Sequence, residues 1–217
     1  MLSFKDVNVV VDVGPDFRQQ MLREEVKHLD AVLITHEHND HVVGMDDIRP
    51  FNFRQRLDMP VYALDRVLRE IKAKFFYIFD ANPYPGSPRV VCHPIFPGQP
   101  FSLSKGMQIM PIEVIHGNLP ILGFRVGNFA YITDASAIGP ESTELLRGLD
   151  ILVLNALQYR KHYSHFTFDE AVEVAAGIGA SKTYFTHMSH EMGLHRDMES
   201  GWPQGILPAY DGLKLTV

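Results

Sequence analysis

The chain has 217 residues, 46% hydrophobic and 21% charged, an ordinary globular composition with enough length to bury a full core in one domain. Its formal net charge of −6 argues against a protein built to grip long nucleic acids, which carries a basic stripe. Cys92 is the single cysteine, so no internal disulfide can form and a reducing compartment is the simplest home. The opening residues lack the basic segment and apolar core of a signal peptide, and no uncharged run approaches the roughly 18 apolar residues of a membrane span. The expected location is cytoplasmic, with no membrane partner.

Taken in order, residues 7–13 read as a strand closed by Gly14-Pro15, and Pro15 suits the first turn of a helix striped by Phe17, Met21, Leu22 and Val26. Asp12, at the end of that strand, is read from its position as a helix-capping or turn residue. Residues 31–34, Ala-Val-Leu-Ile, form a short apolar run typical of a buried strand. Directly after it comes Thr35-His36-Glu37-His38-Asn39-Asp40-His41. Three imidazoles and two carboxylates in seven residues suit zinc, manganese or iron. Their position at a strand's C-terminal end is where open α/β sheets place ligands. His36 and His38, two apart on an extended loop, can face one ion; Asp40 and His41 fall where the chain turns into a helix.

A short helix over residues 45–49 is expected to stop near Pro50, with Asp46 and Asp47 capping it. Residues 60–63 read as a strand and 65–79 as a helix. Residues 81–100 contain six prolines and two glycines and read as one long loop able to overhang a site; His93 within it is read as a non-ligand. Residues 107–115 alternate as a strand ending at His116. Residues 124–132 read as a hairpin about Gly127-Asn128, ending at Thr133-Asp134. Residues 151–155 form a buried strand, and residues 167–177 a helix opened by the capping pattern Thr167-x-x-Glu170. Residues 183–186 form a strand ending at His187, and residues 209–215 a turn and final strand. No repeat, linker or low-complexity tract divides residues 1–217, so one domain is expected.

The H-x-H-x-D-H pattern after a buried strand resembles the metallo-β-lactamase superfamily of binuclear hydrolases. The words GPDFRQQMLR, GMDDIRPFN, YITDA and YFTHMSH resemble the branch containing the phosphoribosyl cyclic phosphodiesterase of phosphonate breakdown, beside the tRNA-processing ribonuclease Z enzymes. The resemblance runs from about Val9 to the C-terminus. It implies an α/β class fold, a four-layer αβ/βα sandwich. The family's opening strand with its glycine-rich turn is missing here, as is the cysteine cluster that holds a structural zinc in part of the branch. An exposed sheet edge would follow.

What the resemblance implies for the site is carried residue by residue. His36, His38 and His116 would hold one divalent ion and Asp40, His41 and His187 a second, with Asp134 bridging; Asp40 is also a catalytic candidate. Such an ion pair makes a nucleophile from a shared water and offsets charge on the phosphoryl oxygens. His165, ahead of the helix at Thr167, matches the histidine that acts as general acid in this branch; the alternative is a residue flanking a helix start. By the same resemblance Asp12 would orient the loop of His36 to His41 from behind, while Glu37, His162, His190 and His195 are not placed. The expected activity is a phosphodiesterase on a small cyclic or nucleotide-like phosphodiester, with a homodimer suggested by relatives. A ribonuclease Z-like RNA-processing enzyme and a non-catalytic binding module are the alternatives. Arg89 is the one cation in the 81–100 loop where a tRNA-gripping arm would be basic.

Overall fold

Branched apolar runs too short to be helices alternate with helical stretches through the first hundred residues, and this pattern closes into a parallel sheet. The computed structural model describes residues 1–198 and 201–217. They form two compact units, Met1–Phe96 with Leu103–Met107 and Pro97–Ser102 with Gln108–Val217.

In the first unit, β1 (Leu2–Phe4) pairs antiparallel with β2 (Val7–Val11), and β3 (Ala31–Leu33), β4 (Met59–Ala63) and β5 (Val90–Pro94) follow side by side, all parallel to β2. The crossovers carry α1 (Phe17–Arg23); α2 (Asn39–Val42) with a 3-10 turn and α3 (Arg49–Gln55); and α4 (Asp65–Lys74). Val10, Val32, Ile34 and Val61 pack with Phe17, Met21, Met45, Ile48, Val67 and Ile71 in one apolar cluster. Of the stripe read from the sequence after Pro15, Phe17, Met21 and Val26 pack on this cluster, whereas Leu22 is exposed.

The second unit holds β6 (Phe101–Ser102), β7 (Gln108–His116), β8 (Leu119–Val126), β9 (Phe129–Ile132), β10 (Ile151–Asn155), β11 (Lys182–Thr186) and β12 (Ile206–Pro208), in the sheet order β12-β11-β10-β9-β8-β7-β6. Strands β6 to β9 run antiparallel and β9 to β12 parallel. Its helices are α5 (Pro140–Leu145), α6 (Phe168–Ile178) and α7 (His195–Met198). Leu152, Leu154 and Phe185 pack with Ala171, Ala175 and Ile178 of α6. Thr167 caps α6 in a full capping box with Glu170, and Gly179 ends it at φ 75°, a left-handed cap that glycine adopts without strain. The α/β class expected from the sequence holds: two sheets, each flanked by helices.

Several boundaries differ from the sequence reading, each for a physical reason. The chain opens with β1, joined to β2 by a turn whose Lys5 and Asp6 have φ 46° and 65°; this is the geometry of a tight hairpin turn, made here without the Asn-Gly that usually marks it. Pro50 does not stop a helix but sits in the first turn of α3, where its missing N–H costs nothing. Asp46 makes no side-chain cap; it accepts the Tyr77 hydroxyl at 2.7 Å. The helix read over residues 65–79 breaks after Lys74 into a 3-10 turn, Phe76–Ile78. The stretch 81–100 is not one loop. It contains β5, whose single proline, Pro94, is tolerated because β5 is an edge strand, and His93 stacks its ring on Tyr62 at 4.8 Å. The final strand lies at Ile206–Pro208, and beyond it Leu213 N–H bonds back to Tyr210 in a turn. No helix among the described residues is long and apolar enough to cross a membrane.

Candidate metal centre

In the first unit the loop that carries His36, His38 and Asp40 leaves β3 through Ile34 and Thr35 and enters α2 at Asn39. Two glycines seat it. A Cβ at Gly14 would lie 2.4 Å from the Asp40 carbonyl oxygen, and one at Gly44 would lie 2.4 Å from the Gly14 carbonyl oxygen. No other residue fits so near a backbone. Val13 N–H bonds the His41 carbonyl and Gly44 N–H the Val13 carbonyl, both at 2.8 Å.

Asp12 organises the ring orientations. Its Oδ1 accepts Thr35 N–H at 2.8 Å, and its Oδ2 accepts the Thr35 hydroxyl at 2.9 Å and His41 Nδ1 at 2.7 Å. His41 Nδ1 is therefore the protonated nitrogen, and Nε2 presents its lone pair. That lone pair stands 3.4 Å from Asp40 Oδ2, so two acceptors face one another where a cation fits. Thr35 Oγ1, donating to Asp12, accepts from His36 Nδ1 at 2.9 Å; His36 Nε2 is then the acceptor, 3.0 Å from His38 Nδ1. His36 and His41 are buried, whereas His38 and Asp40 are exposed. Glu37 turns away from the imidazoles and pairs with Arg66 on α4. Lys74 of α4 donates to the Glu37 carbonyl at 2.9 Å and to Asn39 Oδ1 at 2.8 Å, which straps the loop to that helix.

In the second unit, β7, β9 and β11 each deliver one residue at a C-terminal end: His116, Asp134 and His187. The pairings Ile132↔Leu154 and Leu154↔Phe185 put Asp134 and His187 at the same level, each two residues past a paired rung. Asp134 and His187 take φ 60° and 56°, and Asp12 in the first unit takes 60°. A left-handed conformation is unusual for residues with a side chain, and such strain concentrates at functional sites. His116 Nδ1 meets two carbonyl oxygens, of Asp134 at 2.7 Å and Ser164 at 2.9 Å. It must carry the proton, so the lone pair sits on Nε2.

His165 Nε2 stands 3.3 Å from Asp134 Oδ2, and its Nδ1 is 3.0 Å from Ser164 Oγ and 3.2 Å from His162 Nδ1. Donor atoms of His116, Asp134 and His165 all lie within 4.8 Å of one another, a set able to hold an ion. His187 is placed beside this set, its Nδ1 3.5 Å from Asp134 Oδ1 and its ring stacked 4.9 Å from that of His165. The His162 imidazole is pushed below its ordinary pKa, by burial first and then by the nearby His165 and His116 rings. His190 and His195 are exposed, the latter with its ring against Tyr210 at 5.5 Å.

Asn155, read from the sequence only as part of a buried strand, proves to be a site residue. Fully buried, it accepts Ala135 N–H at 2.7 Å and donates to the Ala135 carbonyl at 2.9 Å. The same carbonyl accepts Phe166 N–H at 2.8 Å, so one node fixes the residues that follow Asp134 and His165. An asparagine ending an otherwise apolar strand run was its only trace in sequence. A cleft of about 390 Å³ lined by residues including Pro100, Met110, Arg125 and Glu144 shares no residue with this site.

Comparison with known proteins agrees with this chemistry. The β-lactamase superfamily domain matches residues 7–188. A crystal structure described as a new diphosphatase from the PhnP family is 39% identical, with a TM-score of 0.90, covering 99% of this chain and 82% of its own. The short form of human tRNase Z shares the fold at 17% identity and a TM-score of 0.72, with 98% and 89% of the two chains covered. A Porphyromonas gingivalis protein named octanoyltransferase is 39% identical over 210 residues, which is 96% of this chain. The chain spans only 42% of that relative's length. The strand-end histidines and aspartates thus stand on a metallo-β-lactamase fold, and the chain belongs to the β-lactamase superfamily, within its PhnP branch.

Proposed function

We propose that residues 1–217 act as one metal-dependent phosphodiesterase domain that cleaves a small cyclic or nucleotide-like phosphodiester. His36, His38 and His116 would hold one divalent ion, Asp40, His41 and His187 a second, and Asp134 would bridge the two. Imidazole with carboxylate suits zinc or manganese, and admits iron. The sharing of these ligands between two ions follows the family's pattern.

The observation that carries the reading is the state of the ring nitrogens. Asp12 fixes the Nδ1 proton of His41, and the Asp134 and Ser164 carbonyls fix that of His116. Each ring is thereby held in the tautomer that offers Nε2 to an ion, the carboxylate- or carbonyl-supported arrangement typical of metal-ligating histidines. When bound, the ions would supply a nucleophile from solvent near neutral pH and offset charge on the phosphoryl oxygens. The chain's own residues do the rest. Thr35 and Asp12 orient the first-unit rings, and Asn155 seats the segment after Asp134. His165, its side chain 11% exposed, holds a proton at Nε2 for the leaving oxygen while Ser164 Oγ hydrogen-bonds Nδ1.

A small substrate is favoured over tRNA by the fate of residues 81–100. Residues 90–94 pair into the first-unit sheet as β5, and Arg89 is spent on Asp58 at 2.9 Å. The octanoyltransferase name belongs to a much longer relative and is not carried over.

The test is metal content by elemental analysis, then turnover of phosphodiesters with added zinc or manganese. His165→Ala is expected to keep its metal. It should lose about 10²–10⁴-fold in hydrolysis of a diester with an alkyl leaving group, the usual worth of a positioned acid. It should lose much less with bis-p-nitrophenyl phosphate, whose leaving group needs no proton. Equal losses on both substrates would remove the acid role, and loss of metal would make His165 a ligand. Bound metal without turnover of any phosphodiester would favour a binding module on the same fold.

A further inference from the structure

Four rings run in file through the second unit. His187 stacks on His165 at 4.9 Å and 9°, His165 meets His162 at 5.0 Å, and His162 meets Tyr163 at 5.1 Å and 34°. From His165 outward exposure rises, from an 11% exposed side chain there to 84% at Tyr163, while His187 on the inner side is 28% exposed. The outer ring is not loose. It lies across Gly117, where a Cβ would stand 3.4 Å from Tyr163 Cε2 and 3.3 Å from Ser164 Cβ. The segment carrying it is pinned on both sides: before it Arg160 bonds Glu191 at 2.6 Å and Lys161 pairs with Glu170 at the start of α6, and after it the Ser164 carbonyl accepts His116 Nδ1 at 2.9 Å. Tyr159 packs its ring on Phe168 at 5.3 Å.

Single exposed aromatics are common on protein surfaces. This one differs in being held in place, nearly bare, at the outer end of a ring file whose inner members are a proposed ligand and the proposed acid. A fixed tyrosine ring is an efficient recognition surface because few rotamers are lost when it binds. Every nucleobase offers a flat π-face to such a platform.

We propose that Tyr163, backed by His162, is a stacking subsite for a planar ring carried by the substrate, so that the phosphodiester is nucleoside-bearing. This rests on the phosphodiesterase reading and narrows its substrate class. The phosphoryl group would sit by His165, the sugar would pass His162, and the base would lie on Tyr163.

The experiment compares equilibrium binding of AMP and ribose 5-phosphate to the zinc- or manganese-loaded protein by calorimetry. The wild type should bind AMP about tenfold more tightly, the order expected of one base–aromatic stack. Tyr163→Ala should abolish that preference while ribose 5-phosphate binds as before, and Tyr163→Phe and Tyr163→Trp should retain it. Equal binding of the two ligands by the wild type, an undiminished preference in Tyr163→Ala, or equal weakening of both would overturn the subsite. Turnover of methyl p-nitrophenyl phosphate separates the two readings. Hydrolysis without base preference removes the subsite alone, and base-selective binding without hydrolysis of any phosphodiester removes the activity and leaves the subsite. Binding of neither ligand counts against both.

Discussion

Asn155 clasps Ala135 by both ends, its Oδ1 taking the amide hydrogen at 2.7 Å and its Nδ2 giving a hydrogen to the carbonyl at 2.9 Å. The residue so held follows Asp134, and its carbonyl also receives Phe166 N–H. Asn155→Ala strands a buried amide and leaves a carbonyl with one partner fewer, at a cost of about 1–3 kcal/mol. Denaturant unfolding should show that loss. Chelator competition should show weaker metal binding, by about tenfold, because Asp134 loses its seat. Asn155→Asp keeps the acceptor but sets a carboxylate against the Ala135 carbonyl, and should be no better than alanine.

Asp12 holds Thr35 and His41 together through three hydrogen bonds. Asp12→Asn keeps its size but removes the charge and, with the amide nitrogen at Oδ2, turns a donor toward His41 Nδ1–H. The imidazole is then free to change tautomer, and metal affinity should fall by about 10–100-fold, as when outer partners of ligating histidines are removed. Fold stability in the metal-free protein should change much less. Titration against a coloured chelator and thermal melts with and without EDTA check both halves.

Gly44 illustrates a close backbone approach. A methyl group there would meet the Gly14 carbonyl at 2.4 Å, the Val13 carbonyl at 2.9 Å and Phe17 Cβ at 3.1 Å. Two of these are main-chain atoms that cannot rotate away, so Gly44→Ala should destabilise by about 1–3 kcal/mol, the range for overpacking. The stretch that yields carries Asp40 and His41, so metal content should fall in the purified protein. Gly177→Ala, inside α6 where a Cβ meets nothing within 4 Å, is the control and should melt no lower than the wild type.

The capping box of α6 gives a pH-dependent term. Burial pushes the Glu170 carboxyl up, but the Lys161 ammonium and the Thr167 amide and hydroxyl together outweigh it and leave the group below its ordinary value. A carboxyl depressed in the folded state stabilises above its unfolded pKa and loses that contribution as pH falls through the folded one. Thr167→Ala should cost about 1 kcal/mol at pH 7. That cost persists in acid, because the lost bond is from Glu170 N–H to Thr167 Oγ1, whereas the difference between Glu170→Gln and wild type should shrink below the ordinary carboxylate range as Glu170 protonates. Urea melts across pH 3 to 7 read this directly.

The local parts of the site were legible in sequence because they are local. His36 to His41 lie on one loop after one apolar run, and Thr167 and Glu170 form their box three residues apart. His116, Asp134 and His187 were reached differently, each as a chemistry-bearing residue at the end of a strand, ordered by resemblance to a family. Hidden were the partners met only through folding. Asn155 and Ala135 are 20 residues apart, and Glu37 and Arg66 are 29 apart. No periodicity announces such pairs. The strand β5 was hidden by Pro94, which an edge position tolerates, and by the prolines on either side of it. The helix α5 was missed although Pro140 opens it, because it follows directly on a turn-rich stretch.

The left-handed backbone at Asp12, Asp134 and His187 has a further consequence for how this protein can evolve. Each position would be more comfortable as glycine, by an amount of order 1 kcal/mol, yet glycine would delete the very group that the conformation presents. Durability and usefulness therefore pull in opposite directions at these three places. A lineage released from selection on its chemistry would drift toward a sturdier, inert protein, and would begin its drift there.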